Sequence, residues 1–252
     1  MLSVNQQHPE GGQQAAVNTT TLIDELEAQA GLYRLCGRLL EGEIDSPLLA
    51  LLRGELREPL AEAGVITDTS FIEDSEEELL ERLAQEYTGL LVAPGAAMPY
   101  ASVFETGRMF QEPADRAEKA YRAAGWVFNN QLSGEFPDHV GVMLSFHAIQ
   151  LQAQADACRV GDDEAAKSIE ERSTGFLIEQ VGSWVPGWCR MAAKASYEPF
   201  YQQLLTLVEQ SLWVDLSAAV GSNEGLKKLA ELNRREPPKL DYDADFRKAS
   251  GL

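Results

Sequence analysis

Residues 74–95 read DSEEELLERLAQEYTGLLVAPG, and the reading of this stretch decides the fold class. Ser75 and Glu78 have the spacing of a capping box, in which each side chain reaches the other residue's backbone N–H. Leu79, Leu83, Tyr87 and Leu90 then recur at helical intervals, so one stripe of the helix is apolar. Pro94 and Gly95 are expected to stop it. Six carboxylates (Glu73, Asp74, Glu76, Glu77, Glu78 and Glu81) crowd its start. They suit the positive end of the helix dipole, and they also form an attractor for arginines.

The same period governs both flanks. Upstream, residues 19–42 place Leu22, Leu26, Tyr33, Cys36 and Leu40 on one face, with Thr20 or Thr21 as the expected cap and Gly42 as the expected end. Ser46 and Pro47 open a second helix, which Pro59 limits or kinks. Downstream, residues 93–112 form a long loop of small residues, Pro and Gly. Pro113 opens a short helix closed by Gly125. Asp138 is expected to cap a helix running to about Val160, with Val142, Phe146 and Ile149 on its inner face. Residues 161–182 give another helix, aligned on Ile169, Phe176 and Gln180. Residues 184–195 give a short one. Residues 196–221 give a long one with Phe200, Leu204, Leu207, Ser211 and Val214 on one face. A last short helix runs from Asn223 to Arg234. Period-two strands and fixed-length repeats are absent from the pattern. The expected fold is all-α, a single bundle-like domain of roughly eight to ten helices joined mostly by short links. Residues 1–19 are expected to form a flexible tail, residues 20–235 the helical domain, and residues 236–252 a charged tail.

Composition narrows the function. The chain has 252 residues and a formal charge of −19, from 21 Lys and Arg against 40 Asp and Glu. Such a surface repels nucleic acid and anionic lipid and attracts cationic partners. No apolar stretch is long enough for stable membrane insertion, and the first residues do not form a secretory signal, so a cytoplasmic address is expected. Cys36, Cys158 and Cys189 show no paired spacing and read as buried free thiols. No phosphate-binding loop or nucleophile elbow occurs. His139 and His147 lie about 12 Å apart along one helix, too far to share a metal. No metal or other cofactor is expected. Asp138 and His139 could pair as acid and base in a small acidic nucleotide-binding or hydrolytic protein. The plainer reading makes Asp138 a cap and leaves His139 exposed in the first turn.

Two segments together resemble the TorD/DmsD/NarJ family of molybdoenzyme chaperones. The first is QEYTGLLVAPGAAMPYASVF, residues 85–104. The second, starting about thirty residues further on, is PDHVGVMLSF, residues 137–146. LYRLCGRLL, residues 32–40, is similar to that family's opening helix. The resemblance implies an all-α, TorD-like fold and a non-catalytic role. It implies binding of the twin-arginine signal peptide of a molybdopterin oxidoreductase catalytic subunit, and retention of that client until its cofactor is loaded. The positions that match are Tyr33, Tyr87, Leu90, Leu91, Pro99, Tyr100, Ser102, Val103, Pro137, Asp138 and His139. Departures occur at Leu91, Ala101, Met143 and Ser145, where the family commonly carries Phe or acidic residues. An acidic surface would speed encounter with arginines, and a His139 protonated below about pH 6.5 would repel them. Helix exchange between subunits leaves room for a homodimer.

Overall fold

A computed structural model describes residues 10–93, 97–129 and 136–239, with side chains from residue 19 onward. It contains α1 (Glu10–Glu41), α2 (Ser46–Arg53), α3 (Arg57–Glu62), α4 (Thr69–Glu73), α5 (Glu76–Tyr87) and α6 (Ala101–Thr106). These are followed by α7 (Glu112–Ala123), α8 (Val140–Val160), α9 (Asp163–Phe176), α10 (Val185–Ala195), α11 (Pro199–Val220) and α12 (Asn223–Leu232). Helices α5 and α9 each run on into a π-helical turn, at Thr88–Val92 and Leu177–Val181. The fold is all-α, and no strand occurs among the described residues. The helices outnumber the eight to ten expected because α3, α4 and α6 are short pieces that periodicity does not register.

Helix α8 is the central element. It packs most extensively on α1, and α9 lies along it as well. The α1–α8 contact is close because neither Gly37 nor Gly141 has a side chain. A Cβ on Gly37 would sit 2.3 Å from Oγ of Ser145 and 3.0 Å from the Gly141 carbonyl oxygen; one on Gly141 would sit 2.9 Å from the Gly37 carbonyl oxygen. Beside this crossing, Ser145 Oγ donates to Glu41 at 2.7 Å. One continuous apolar core then extends from Leu26 of α1 to Leu229 of α12, with Trp184, Trp188, Tyr33 and Tyr201 among its fully buried side chains.

The capping box of α5 is present as read, and Leu79, Leu83, Tyr87 and Leu90 are all buried. Several local expectations are corrected. Helix α1 begins at Glu10, ahead of Thr20 and Thr21. Asp45, not Ser46, caps α2, accepting from the Leu48 amide at 2.9 Å. Pro59 lies in the first turns of α3, where a missing N–H is tolerated, and the chain breaks instead at Gly54. The 93–112 loop contains α6. On α8, Val142 and Ile149 are only half-buried, because neighbours on several sides bury most of the helix and leave no single inner stripe. On α11, Val214 is 70% exposed; from its middle onward the helix buries Val208, Leu212 and Leu216 instead. Cys36 and Cys189 are buried, whereas Cys158 is partly exposed. Pro94 and Gly95, residues 1–9 of the expected N-terminal tail and residues 240–252 of the C-terminal one lie outside the described residues.

Candidate functional site

The two segments that carry the resemblance meet in space. Residues 99–102 run beside residues 136–140. The Ala101 amide donates to the Asp138 carbonyl at 3.1 Å, and the Val140 amide donates to the Pro99 carbonyl at 2.8 Å. This makes an isolated antiparallel bridge between Tyr100 and His139. The near end of the loop is pinned to the core, because Trp188 Nε1 donates to the Ala97 carbonyl at 3.1 Å and the Ala97 amide donates to the Leu90 carbonyl at 3.0 Å.

Asp138 does not cap its own helix. Its Oδ2 accepts the Ser102 amide at 2.8 Å, in the first turn of α6. Helix α6 has no side-chain cap from Tyr100, so a residue 36 positions away supplies one. His139 caps α8: its Nδ1 accepts the Gly141 amide at 3.1 Å. That bond places the ring proton on Nε2. Asp138 and His139 are 1% and 6% exposed, so the expectation of an exposed His139 is corrected. Burial pushes the Asp138 carboxyl upward, against the opposing pull of Ser102. Burial also pushes His139 down to about 4, so the ring is neutral through the physiological range and cannot repel arginine there.

The aromatic groups at this edge are more open. The Tyr100 ring stands edge-on to His139 at 5.1 Å and 5.6 Å from Phe136, and Phe110 meets Phe136 at 4.2 Å. Phe110 is 67% exposed and holds φ +56°, a backbone region that bulky residues rarely enter. Tyr121 fixes the other side by donating its hydroxyl to the Pro137 carbonyl at 2.5 Å.

The eleven residues named from sequence therefore divide. Pro99, Tyr100, Ser102, Val103, Pro137, Asp138 and His139 come together, and of these Tyr100 and Pro137 are partly exposed while the rest are buried. Tyr87, Leu90 and Leu91 are buried; Tyr87 donates to the Leu40 carbonyl at 3.3 Å, and the Leu90 carbonyl accepts the Ala97 amide. Tyr33 is part of the core, hydrogen-bonded to Asp215 of α11 and edge-on to His147 at 5.1 Å. Phe110 and Phe136 join the edge without belonging to either motif's matching positions. An aromatic residue in a polar loop was the available signal for Phe110, but its left-handed backbone carries no glycine or asparagine marker.

Acid–base chemistry by Asp138 and His139 finds little support in this geometry, since each accepts from a different backbone amide and both are buried. Among the described residues, no cluster of three or more His, Cys, Asp or Glu is placed to hold a metal ion. Also among them, no helix is long and apolar enough to cross a membrane. Of the acidic run, Asp74 is tied to Arg82 at 2.6 Å, while Glu73, Glu76, Glu77 and Glu81 stay exposed.

The sequence profile described as "Nitrate reductase delta subunit" matches residues 52–190, which include both halves of this edge. This chain belongs to that family. Two proteins named "Chaperone protein TorD", from Vibrio vulnificus strains CMCP6 and YJ016, are each 26% identical to it over 186 residues, covering 71% of this chain and 82% of theirs. Family membership agrees with the resemblance carried by the two motifs.

Proposed function

We propose that this protein is a redox-enzyme maturation chaperone that binds the twin-arginine signal peptide and apo-form of a molybdopterin oxidoreductase in the cytoplasm, holding it for cofactor insertion. The observation that carries the reading is the junction of the two motifs. Segments separated by more than thirty residues in sequence build one edge, held rigid by buried polar groups and finished by the aromatic rings of Tyr100, Phe136 and Phe110. Family membership and the named chaperone relatives support the chaperone role. A signal peptide with a cationic front and an apolar stretch matches an acidic body with an aromatic lip.

The buried candidates then act by holding the lip. Tyr100 and Pro137 meet the peptide, with Phe110 and Phe136 beside them. Pro99, Ser102, Val103, Asp138 and His139 set their position. Tyr87, Leu90 and Leu91 support the start of the loop, and Tyr33 acts only through the core. The working unit is residues 20–235, as a monomer or as a homodimer formed by helix exchange. Isothermal titration with a synthetic Arg-Arg leader peptide, its Lys-Lys counterpart, and the Tyr100→Ala and Phe110→Ser variants tests this. Saturable binding that prefers Arg-Arg and weakens in both variants supports the reading. No binding by the wild-type chain, or equal binding by all forms, refutes it.

A further inference from the structure

The charge of this chain is unevenly spread. Residues 184–239 hold seven Lys and Arg and six Asp and Glu, against 21 and 40 in the whole sequence. Part of this basic end gathers around one cleft of about 520 Å³, between α10 and the segment that follows α12. Arg190 and Lys194, one turn apart on α10, line it together with Arg234 and Arg235; the half-buried Met191 supplies apolar surface, with Phe104, itself only 7% exposed, at the wall. Glu236 is the one acidic residue in its wall. Arg190 is tied to Glu209 at 3.1 Å. Lys194, Arg234 and Arg235 are exposed and make no ion pair among the described residues.

Cations gathered around a shared cleft repel one another, and among the described residues three of the four make no ion pair. The base of the cleft is held by other means: Asn233 accepts the Gly187 amide at 2.7 Å and donates to the Gly182 and Leu229 carbonyls, each at 2.8 Å. The exposed charges of Lys194, Arg234 and Arg235 are complementary to an anion. Met191 favours an anion that also carries an apolar group, and arginine forks match carboxylates geometrically.

We infer that this cleft is a docking site for an acidic peptide segment of a partner protein, with an apolar side chain of that segment seated against Met191. The cleft touches α6 through Phe104, but its cations lie on α10 and after α12, away from the aromatic edge, and it is opposite to that edge in the charge it attracts. It requires no leader peptide and stands whether or not the edge binds one.

The probe is a fluorescein-labelled peptide, Asp-Glu-Phe-Asp-Glu-Leu, with Asn-Gln-Phe-Asn-Gln-Leu as its neutral counterpart, titrated by fluorescence anisotropy into the full chain. The acidic peptide is expected to saturate, with affinity falling as salt rises. Lys194→Glu and Arg235→Glu are each expected to weaken it about tenfold, and the neutral peptide to bind at least about tenfold more weakly. Circular dichroism checks that both variants fold, and their affinity for an Arg-Arg leader is expected to be unchanged. Absence of saturation, equal binding of the two peptides, or unaltered affinity in both folded variants overturns the inference. The chain's own Asp241, Asp243 and Asp245 follow closely on the cleft wall in sequence. Binding that appears only after removal of residues 240–252 would assign the cleft to this chain itself and likewise overturn the proposal.

Discussion

Helices α6 and α10 begin alike and are held differently. Neither N-terminal residue, Tyr100 or Trp184, caps with its own side chain. Each helix takes its cap from far along the chain, α6 from Asp138 and α10 from Asn233. At α6 the remote group is a carboxylate that only accepts, and it stands behind an aromatic lip. At α10 it is an amide that accepts once and donates twice, and it stands at the base of a basic cleft. The acceptor at α6 can be replaced by a neutral isostere, whereas the amide at α10 cannot lose its donors.

Exchanging the two chemistries tests that contrast. Asn233→Asp places a buried carboxylate against two carbonyl oxygens and is expected to cost about 4 kcal/mol in urea unfolding. A cost under about 1 kcal/mol would show that the cleft base relaxes.

Acid probes the α6 side next. His139 and His147 are pushed from 6.5 down to about 4 by burial. Groups whose folded value is lowered stabilise fully above their unfolded value and lose that contribution as pH falls through the folded one. Stability should therefore decline between about pH 6.5 and 4, by roughly 3 kcal/mol per histidine. Asp138 runs the other way: raised by burial, it contributes below its ordinary 3.8 and loses that contribution as pH rises through its folded value. Urea titrations of wild type and His139→Gln across this range should show a shallower decline in the variant. An identical slope would mean that His139 is not held neutral.

Asp138→Ala removes the remote cap and should cost about 2 kcal/mol, with faster hydrogen exchange at the Ser102 amide. Asp138→Asn keeps an acceptor and should change stability by less than about 1 kcal/mol. At the cleft rim, Lys194→Glu should leave the melting curve within about 0.5 kcal/mol of wild type. A larger loss would place Lys194 in the fold rather than in recognition.

The range over which each cap acts explains what could be read from sequence. The Ser75–Glu78 box lies within one turn, so spacing alone reveals it, and the buried stripe of α5 follows from period. The caps on α6 and α10 span 36 and 46 residues, and no local pattern encodes them. An aspartate just before an apolar run fits the local rule for a cap, which points Asp138 to α8 rather than to α6. His139 took that position instead, and the chain's turn beside Pro99 carried the carboxylate to Ser102. The motif pair located the edge. Which of its side chains face outward depended on packing, and the Phe110 conformation has no counterpart in the residue pattern.

Gly141 has a consequence for inheritance of shape. Its amide engages His139, while its missing side chain admits the main chain of α1 at Gly37 and Glu41. The lip is thereby calibrated against the opening helix, a hundred residues earlier. A single added methyl at Gly37 would press on Ser145 and on the first turn of α8, and so shift the edge without altering any residue in it.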